Sequence, residues 1–154
     1  MPDDPNHERY MRLCIELARR ALDTHDTPVG SLVVRGGRII AEGVEAVRGR
    51  SDVTAHAEIE AVRAATGRSK ALDLTGCTLY TTVEPCVMCA YAIRLARLSV
   101  VVTGARSGDS DHALNGCALL VDPDILPSRT PPQLVRDVLG TECRAMLMER
   151  RTNP

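Results

Sequence analysis

The sequence predicts an α/β domain in which helices pack on a mixed sheet. Three observations carry that reading. Apolar residues recur at helical spacing near the N-terminus, Gly36-Gly37 separates two β-rich stretches, and short β-branched segments then alternate with helical ones. At 154 residues, with 44% hydrophobic and 25% charged residues, the chain has the size and balance expected of one globular domain spanning 1–154. It has no Phe, no Trp and three Tyr, so its core must be built from Val, Leu, Ile, Ala and Met.

The elements follow in order. Asp4-Pro5 reads as a helix start, since Asp can accept from free backbone N–H groups and Pro suits the first turn. Tyr10, Leu13, Cys14, Leu17, Ala18, Ala21 and Leu22 form one helical face, with Glu16, Arg19, Arg20 and Asp23 opposite. Thr27-Pro28 ends that helix. Val29–Arg35 and Arg38–Val47 then read as a hairpin across Gly36-Gly37, a turn suited to positive φ.

Residues 48–52 read as a loop, followed by a helix from Thr54 to Ala65 that begins near His56 and takes Gly67 as its C-cap. Thr78–Val83 is a short β-branched strand. A helix from Cys86 to about Arg97 has Pro85 in its first turn, and Ser99–Thr103 is a second buried-type strand. Residues 104–115 and 122–132 read as a polar and a Pro-rich loop. Leu134, Val135, Val138 and Leu139 fit helix and strand spacing alike, whereas Cys143, Met146, Leu147 and Arg150 predict a closing helix.

Composition weighs against several classes of partner. Single-stranded nucleic acid is usually gripped by aromatic side chains along a basic groove, and this chain combines three aromatic residues with a net charge of -1. No apolar run approaches the ~20 residues of a membrane span, and the N-terminal Met1-Pro2-Asp3-Asp4 is acidic where a signal peptide is basic. The expectation is a cytoplasmic protein acting on a small molecule, with nucleic acid less favoured and no membrane partner. In that compartment the six cysteines read as free thiols or metal ligands rather than disulfides.

Chemistry concentrates at two predicted helix starts, His56-Ala57-Glu58 and Pro85-Cys86-Val87-Met88-Cys89. Zinc binds thiolate and imidazole, and a Cys-x-x-Cys pair at a helix N-terminus lets two sulfurs converge while the helix dipole favours their anionic form. His56, Cys86 and Cys89 supply three ligands, and a catalytic zinc site leaves the fourth position to water. Glu58 can approach the ion without displacing that water, as a proton-transferring carboxylate must. The combination of His-x-Glu with Pro-Cys-x-x-Cys is the signature of zinc deaminases. The alternatives are a structural zinc closed by Cys77, Cys117, Cys143 or His112, or simply a buried thiol pair; Cys14, Cys77, Cys117 and Cys143 each suit a core position better than a ligand's. His7, near the terminus, and His25, at a helix end, suit solvated or capping roles.

At these residues the chain resembles the cytidine and nucleobase deaminase superfamily, in particular the branch of bacterial tRNA adenosine deaminases, guanine deaminases and fungal-type cytosine deaminases. The resemblance is carried by Thr27-Pro28-Val29-Gly30, Thr54-Ala55-His56-Ala57-Glu58, Glu84-Pro85-Cys86-Val87-Met88-Cys89 and Val101-Val102-Thr103-Gly104-Ala105-Arg106, in that order. It implies a three-layer α/β/α domain of the cytidine deaminase-like fold, with a mixed, about five-stranded sheet and Gln133–Val138 as its last strand. It further implies zinc on His56, Cys86 and Cys89, Glu58 as proton shuttle, a homodimer, and a substrate pocket lined by Val29, Glu45, Ala57, Asp109 and His112.

Glu45 departs from the pattern, standing where such relatives carry an Asn that reads the base. Strand alternation puts it on the face of Ile39, Ala41, Gly43 and Val47, either at the strand's exposed end or in the pocket. An ionised Glu only accepts hydrogen bonds, whereas Asn also donates. Three functions follow, in order: deamination of a free nucleobase or related amino-heterocycle, deamination of a tRNA wobble adenosine, and a non-catalytic zinc-stabilised domain.

Overall fold

The computed structural model describes residues 4–106 and 116–152. The N-terminal periodicity becomes α1 (Asn6–Arg20), followed by a 3-10 turn over Ala21–Thr24. Pro5 stands at the N-cap position, and Asp4 Oδ1 accepts the Asn6 N–H at 2.9 Å. The hairpin forms as β1 (Gly30–Arg35) and β2 (Arg38–Val44), with Gly36 and Gly37 at φ 55° and 77°. After the short helix α2 (Val47–Arg50) come α3 (Ala57–Ser69), β3 (Cys77–Val83), α4 (Val87–Leu95), β4 (Val100–Ala105), α5 (Cys117–Val121), β5 (Gln133–Val135) and α6 (Gly140–Thr152).

The five strands form one mixed sheet in the order β2-β1-β3-β4-β5, antiparallel where β1 meets β2 and β3, parallel from β3 through β4 to β5. Register and side-chain alternation divide the core into two layers. Leu32, Tyr80, Val102 and Val135 align across the sheet and pack against α1 and α6 through Cys14, Leu17, Cys143 and Leu147. Val33, Leu79, Val101 and Leu134 form the adjacent row on the other face, against Ala61 and Ala65 of α3, Ala90 and Ile93 of α4 and Leu120 of α5. The expected three-layer architecture is therefore present.

Several boundaries differ from expectation for local reasons. Strand β2 ends at Val44, because the buried Asp26 carboxylate accepts the N–H groups of Arg48 and Gly49 at 2.5 and 3.0 Å and draws the chain into α2. Glu45 therefore leaves the sheet. Helix α3 runs through Gly67 and ends where Lys70 takes φ 51°, its N–H closing on Thr66 O. Pro85 precedes the α4 cap instead of lying in the first turn, and α5 occupies a segment without an expected element. Strand β5 stops at Val135, with Asp137 at φ 63° turning the chain toward α6. His7 is buried, its Nδ1 lying 2.9 Å from the Tyr80 hydroxyl, because the face of α1 that carries it turns onto the sheet.

Arg94 explains how α5 and the segment after it are held. Its fully buried guanidinium donates to the carbonyls of Leu119, Leu120, Asp122, Leu126 and Arg129, so one side chain of α4 satisfies backbone that has no ladder of its own.

Candidate active site

The two helix starts meet at the same end of the sheet. His56 is the N-cap residue of α3 and Cys86 that of α4, while Glu58 and Cys89 lie in the first turns. Close packing makes this possible: a Cβ on Gly43 would collide with the Ala57 carbonyl, so β2 reaches the start of α3 only with glycine there. The result brings His56 Nδ1 to 3.6 Å from Cys86 Sγ and 3.5 Å from Cys89 Sγ.

These separations suit zinc. Bonds of about 2.3 Å to sulfur and about 2.0 Å to nitrogen at a tetrahedral angle put two donors about 3.5 Å apart. The nitrogen facing the sulfurs is Nδ1. Among the described residues, the groups of His, Cys, Asp and Glu close enough to share an ion are His56–Cys86–Cys89 and Glu45–His56–Glu58. The thiolates favour zinc over a hard, oxygen-seeking cation. Cys14, Cys77, Cys117 and Cys143 are buried, form no disulfide and join neither group.

Glu58 is buried, with Oε2 3.6 Å from Cys89 Sγ and Oε1 accepting a hydrogen bond from Thr81 Oγ1 at 3.1 Å. Glu45 is also buried and caps α3, its Oε2 accepting the Ala57 N–H at 3.0 Å. Its own N–H donates to Val29 O at 3.1 Å, which brings Val29, Glu45 and Ala57 together. Asp109 and His112 lie outside the described residues.

Electrostatics follow from this crowding. Without metal, burial and the nearby Glu58 charge push the Glu45 carboxyl up to about 7, and burial raises that of Glu58. His56 is pushed up to about 9, chiefly by its hydrogen bond with Cys86. Cys86 is drawn down to about 4 by the Cys89 thiol and by His56, while Cys89 is raised by its bond to Cys86 and by burial.

Two contacts were not foreseen. Thr81 touches Glu58, and Glu84, just before Pro85-Cys86, is buried and held by Arg136, whose Nε and Nη2 both reach Oε1, at 2.7 and 2.6 Å. The signal for Thr81 was a hydroxyl in a strand buried on both faces; Arg136 lies too far away in sequence to have offered one.

The sequence profile of the cytidine and deoxycytidylate deaminase zinc-binding region matches residues 4–105. The chain belongs to that family. A tRNA-specific adenosine deaminase of Aquifex aeolicus is 39% identical over 98 residues, 64% of this chain and 65% of that protein, so the match spans slightly less than two thirds of the relative. A guanine deaminase of Bacillus subtilis is 39% identical over 109 residues, 70% of each chain. Among solved structures, guanine deaminase from Nitrosomonas europaea superposes with a TM-score of 0.83 at 27% identity, covering 97% of this chain and 85% of that one. The family assignment agrees with the resemblance carried by the two helix-start motifs.

Proposed function

We propose that the protein is a zinc-dependent hydrolytic deaminase that removes the exocyclic amino group of a free nucleobase or related amino-heterocycle. The observation that carries this reading is the buried Glu58 carboxylate, its Oε2 3.6 Å from the sulfur of Cys89, itself within 3.5 Å of His56 Nδ1. His56, Cys86 and Cys89 would hold the zinc, which would supply an activated water of pKa about 7 as the nucleophile. The water oxygen would bond to the ring carbon as Glu58 accepts its first proton and hands it to the adjacent ring nitrogen; Glu58 then takes the second proton from the new hydroxyl and delivers it to the departing amine. One water is consumed, the exocyclic C–N bond breaks and ammonia leaves.

Glu45 supports a free ring as substrate. With Oε2 occupied by the Ala57 N–H, Oε1 remains to accept from a ring N–H or amino group. In its ionised form Glu45 would repel a ring carbonyl there and leave it unpaired at about 1–3 kcal/mol, roughly tenfold or more in preference. The net charge of -1 and the absence of Phe and Trp also favour a small substrate. The similarity to the Aquifex tRNA-specific adenosine deaminase favours a second reading, action on a tRNA wobble adenosine. A homodimer is part of the proposal, supported by the exposed apolar stripe Val87, Tyr91 and Leu95 along α4, beside the metal ligands. So is a cytoplasmic location; no helix among the described residues is long and apolar enough to cross a membrane.

The test is ammonia release from guanine, 2,6-diaminopurine, cytosine, an amino-triazine and a tRNA anticodon stem-loop, by the native protein and by Glu45→Asn. Turnover of a diamino ring by the native protein, shifting toward other bases in Glu45→Asn at unchanged zinc content, is expected. Turnover of the stem-loop alone would establish the second reading.

A further inference from the structure

Beneath Glu58 the sheet carries a row of hydroxyls. Ser31, Thr81 and Thr103 are register partners across β1, β3 and β4, next to the apolar row Val33–Leu79–Val101 and two residues along from it on each strand. Side chains alternate along a strand, so the hydroxyl row shares the face that packs against α3 and α4. All three residues are fully buried. Ser31 Oγ and Thr103 Oγ1 have no hydrogen-bond partner among the described residues, whereas Thr81 Oγ1 donates to Glu58 Oε1 at 3.1 Å.

The two oxygens of Glu58 are therefore not equivalent. Oε1 is tied to the sheet, and Oε2 points to the metal side, 3.6 Å from Cys89 Sγ. A carboxylate in the first turn of a helix can rotate about several bonds. Thr81 cannot follow it freely, because its β-branched side chain is stiff at χ1 and its strand is paired on both sides. A rigid donor of this kind selects one orientation of a mobile acceptor, which is what a proton carrier needs to keep one oxygen on the reacting atoms.

We infer that Thr81 is a positioning residue for Glu58, anchoring Oε1 so that Oε2 performs the proton transfers. The inference rests on Glu58 being the proton carrier. Ser31 and Thr103 share the row, the burial and the hydroxyl but have no such bond to Glu58, so they separate polarity in the sheet from this one contact.

The experiment uses zinc-loaded protein carrying Thr81→Val, Thr81→Ser, Ser31→Ala, Thr103→Val or Glu58→Ala. Guanine and 2,6-diaminopurine serve as probes, zinc content is measured for every variant, and crystal structures are determined for the native protein and the Thr81 variants. Thr81→Val should lose about tenfold to a hundredfold in kcat, the size of one hydrogen bond to a charged group, with KM within about twofold and zinc retained. Thr81→Ser should restore turnover, and Ser31→Ala and Thr103→Val should keep it. In the crystal of Thr81→Val the Glu58 carboxylate should leave its position, and in Thr81→Ser it should stay. An unmoved carboxylate in Thr81→Val overturns the inference whether or not either probe is turned over. So does native kcat in Thr81→Val, or an equal loss in the Ser31 and Thr103 variants. Full turnover by Glu58→Ala instead removes the reading on which the inference rests, whereas an inactive Glu58→Ala beside a fully active Thr81→Val overturns the inference alone.

Discussion

Stripping the metal with a chelator and titrating zinc back at several pH values measures how many protons the ligands must release. In the metal-free site His56 holds its proton up to about pH 9, Cys89 is raised above the ordinary thiol range, and Cys86 at about 4 is already a thiolate. Zinc accepts only the deprotonated forms, so binding near neutrality displaces one proton from His56 and one from Cys89. Each displaced proton makes the affinity rise about tenfold per pH unit, so two give about a hundredfold, a slope that holds until the pH approaches the His56 value and falls to tenfold above it. Glu45 and Glu58, also raised, can add to the release but cannot reduce it. Competition against a chelator of known affinity gives the slope, and calorimetry in buffers of different ionisation enthalpy counts the protons directly. A release below one proton, or an affinity flat from about pH 6 to pH 8, would refute the reasoning, since His56 and Cys89 would then be deprotonated before metal arrives.

Three further outcomes can be checked. Glu58→Ala should retain zinc and fold while losing about 10² to 10⁴-fold in turnover, the share of a general acid/base; metal content and circular dichroism separate this from unfolding. Glu45 binds its proton more tightly folded than unfolded, about 7 against 4.5, so its stabilising share is full below the lower value and is lost as pH rises through the upper one. Glu45→Gln should therefore gain about 2.5 kcal/mol relative to the native metal-free protein between pH 5 and pH 8 in urea unfolding, and an equal gap at both would contradict the assignment. Arg94→Met should lower stability by several kcal/mol, because five carbonyls lose their shared donor at about 1–3 kcal/mol for each left unsatisfied; a loss under about 1 kcal/mol would show that water replaces the guanidinium.

What could be read from the sequence was what local chemistry encodes. Gly36-Gly37 specifies the hairpin, and the His-x-Glu and Cys-x-x-Cys spacings bring the metal ligands to helix starts because those patterns are short. The end of β2 was not legible, since it depends on Asp26 reaching across to the amides of Arg48 and Gly49. Glu45 illustrates the same limit: alternation could place it on a face, but its burial follows from capping α3, a partner set by tertiary packing. Thr81 against Glu58 and Arg136 against Glu84 are likewise pairings between distant segments, to which no periodicity points. The segment Gln133–Val138 was ambiguous on its own residues; family resemblance supplied a strand, and the structure keeps its first half.

The most direct test of the account follows ammonia release from 2,6-diaminopurine and guanine by one preparation in three states: zinc-loaded, chelated, and reconstituted with one equivalent of zinc. Turnover is expected in the first state, none in the second, and full recovery in the third. Unchanged turnover after complete removal of zinc would contradict the claim that His56, Cys86 and Cys89 hold the ion on which the reaction depends.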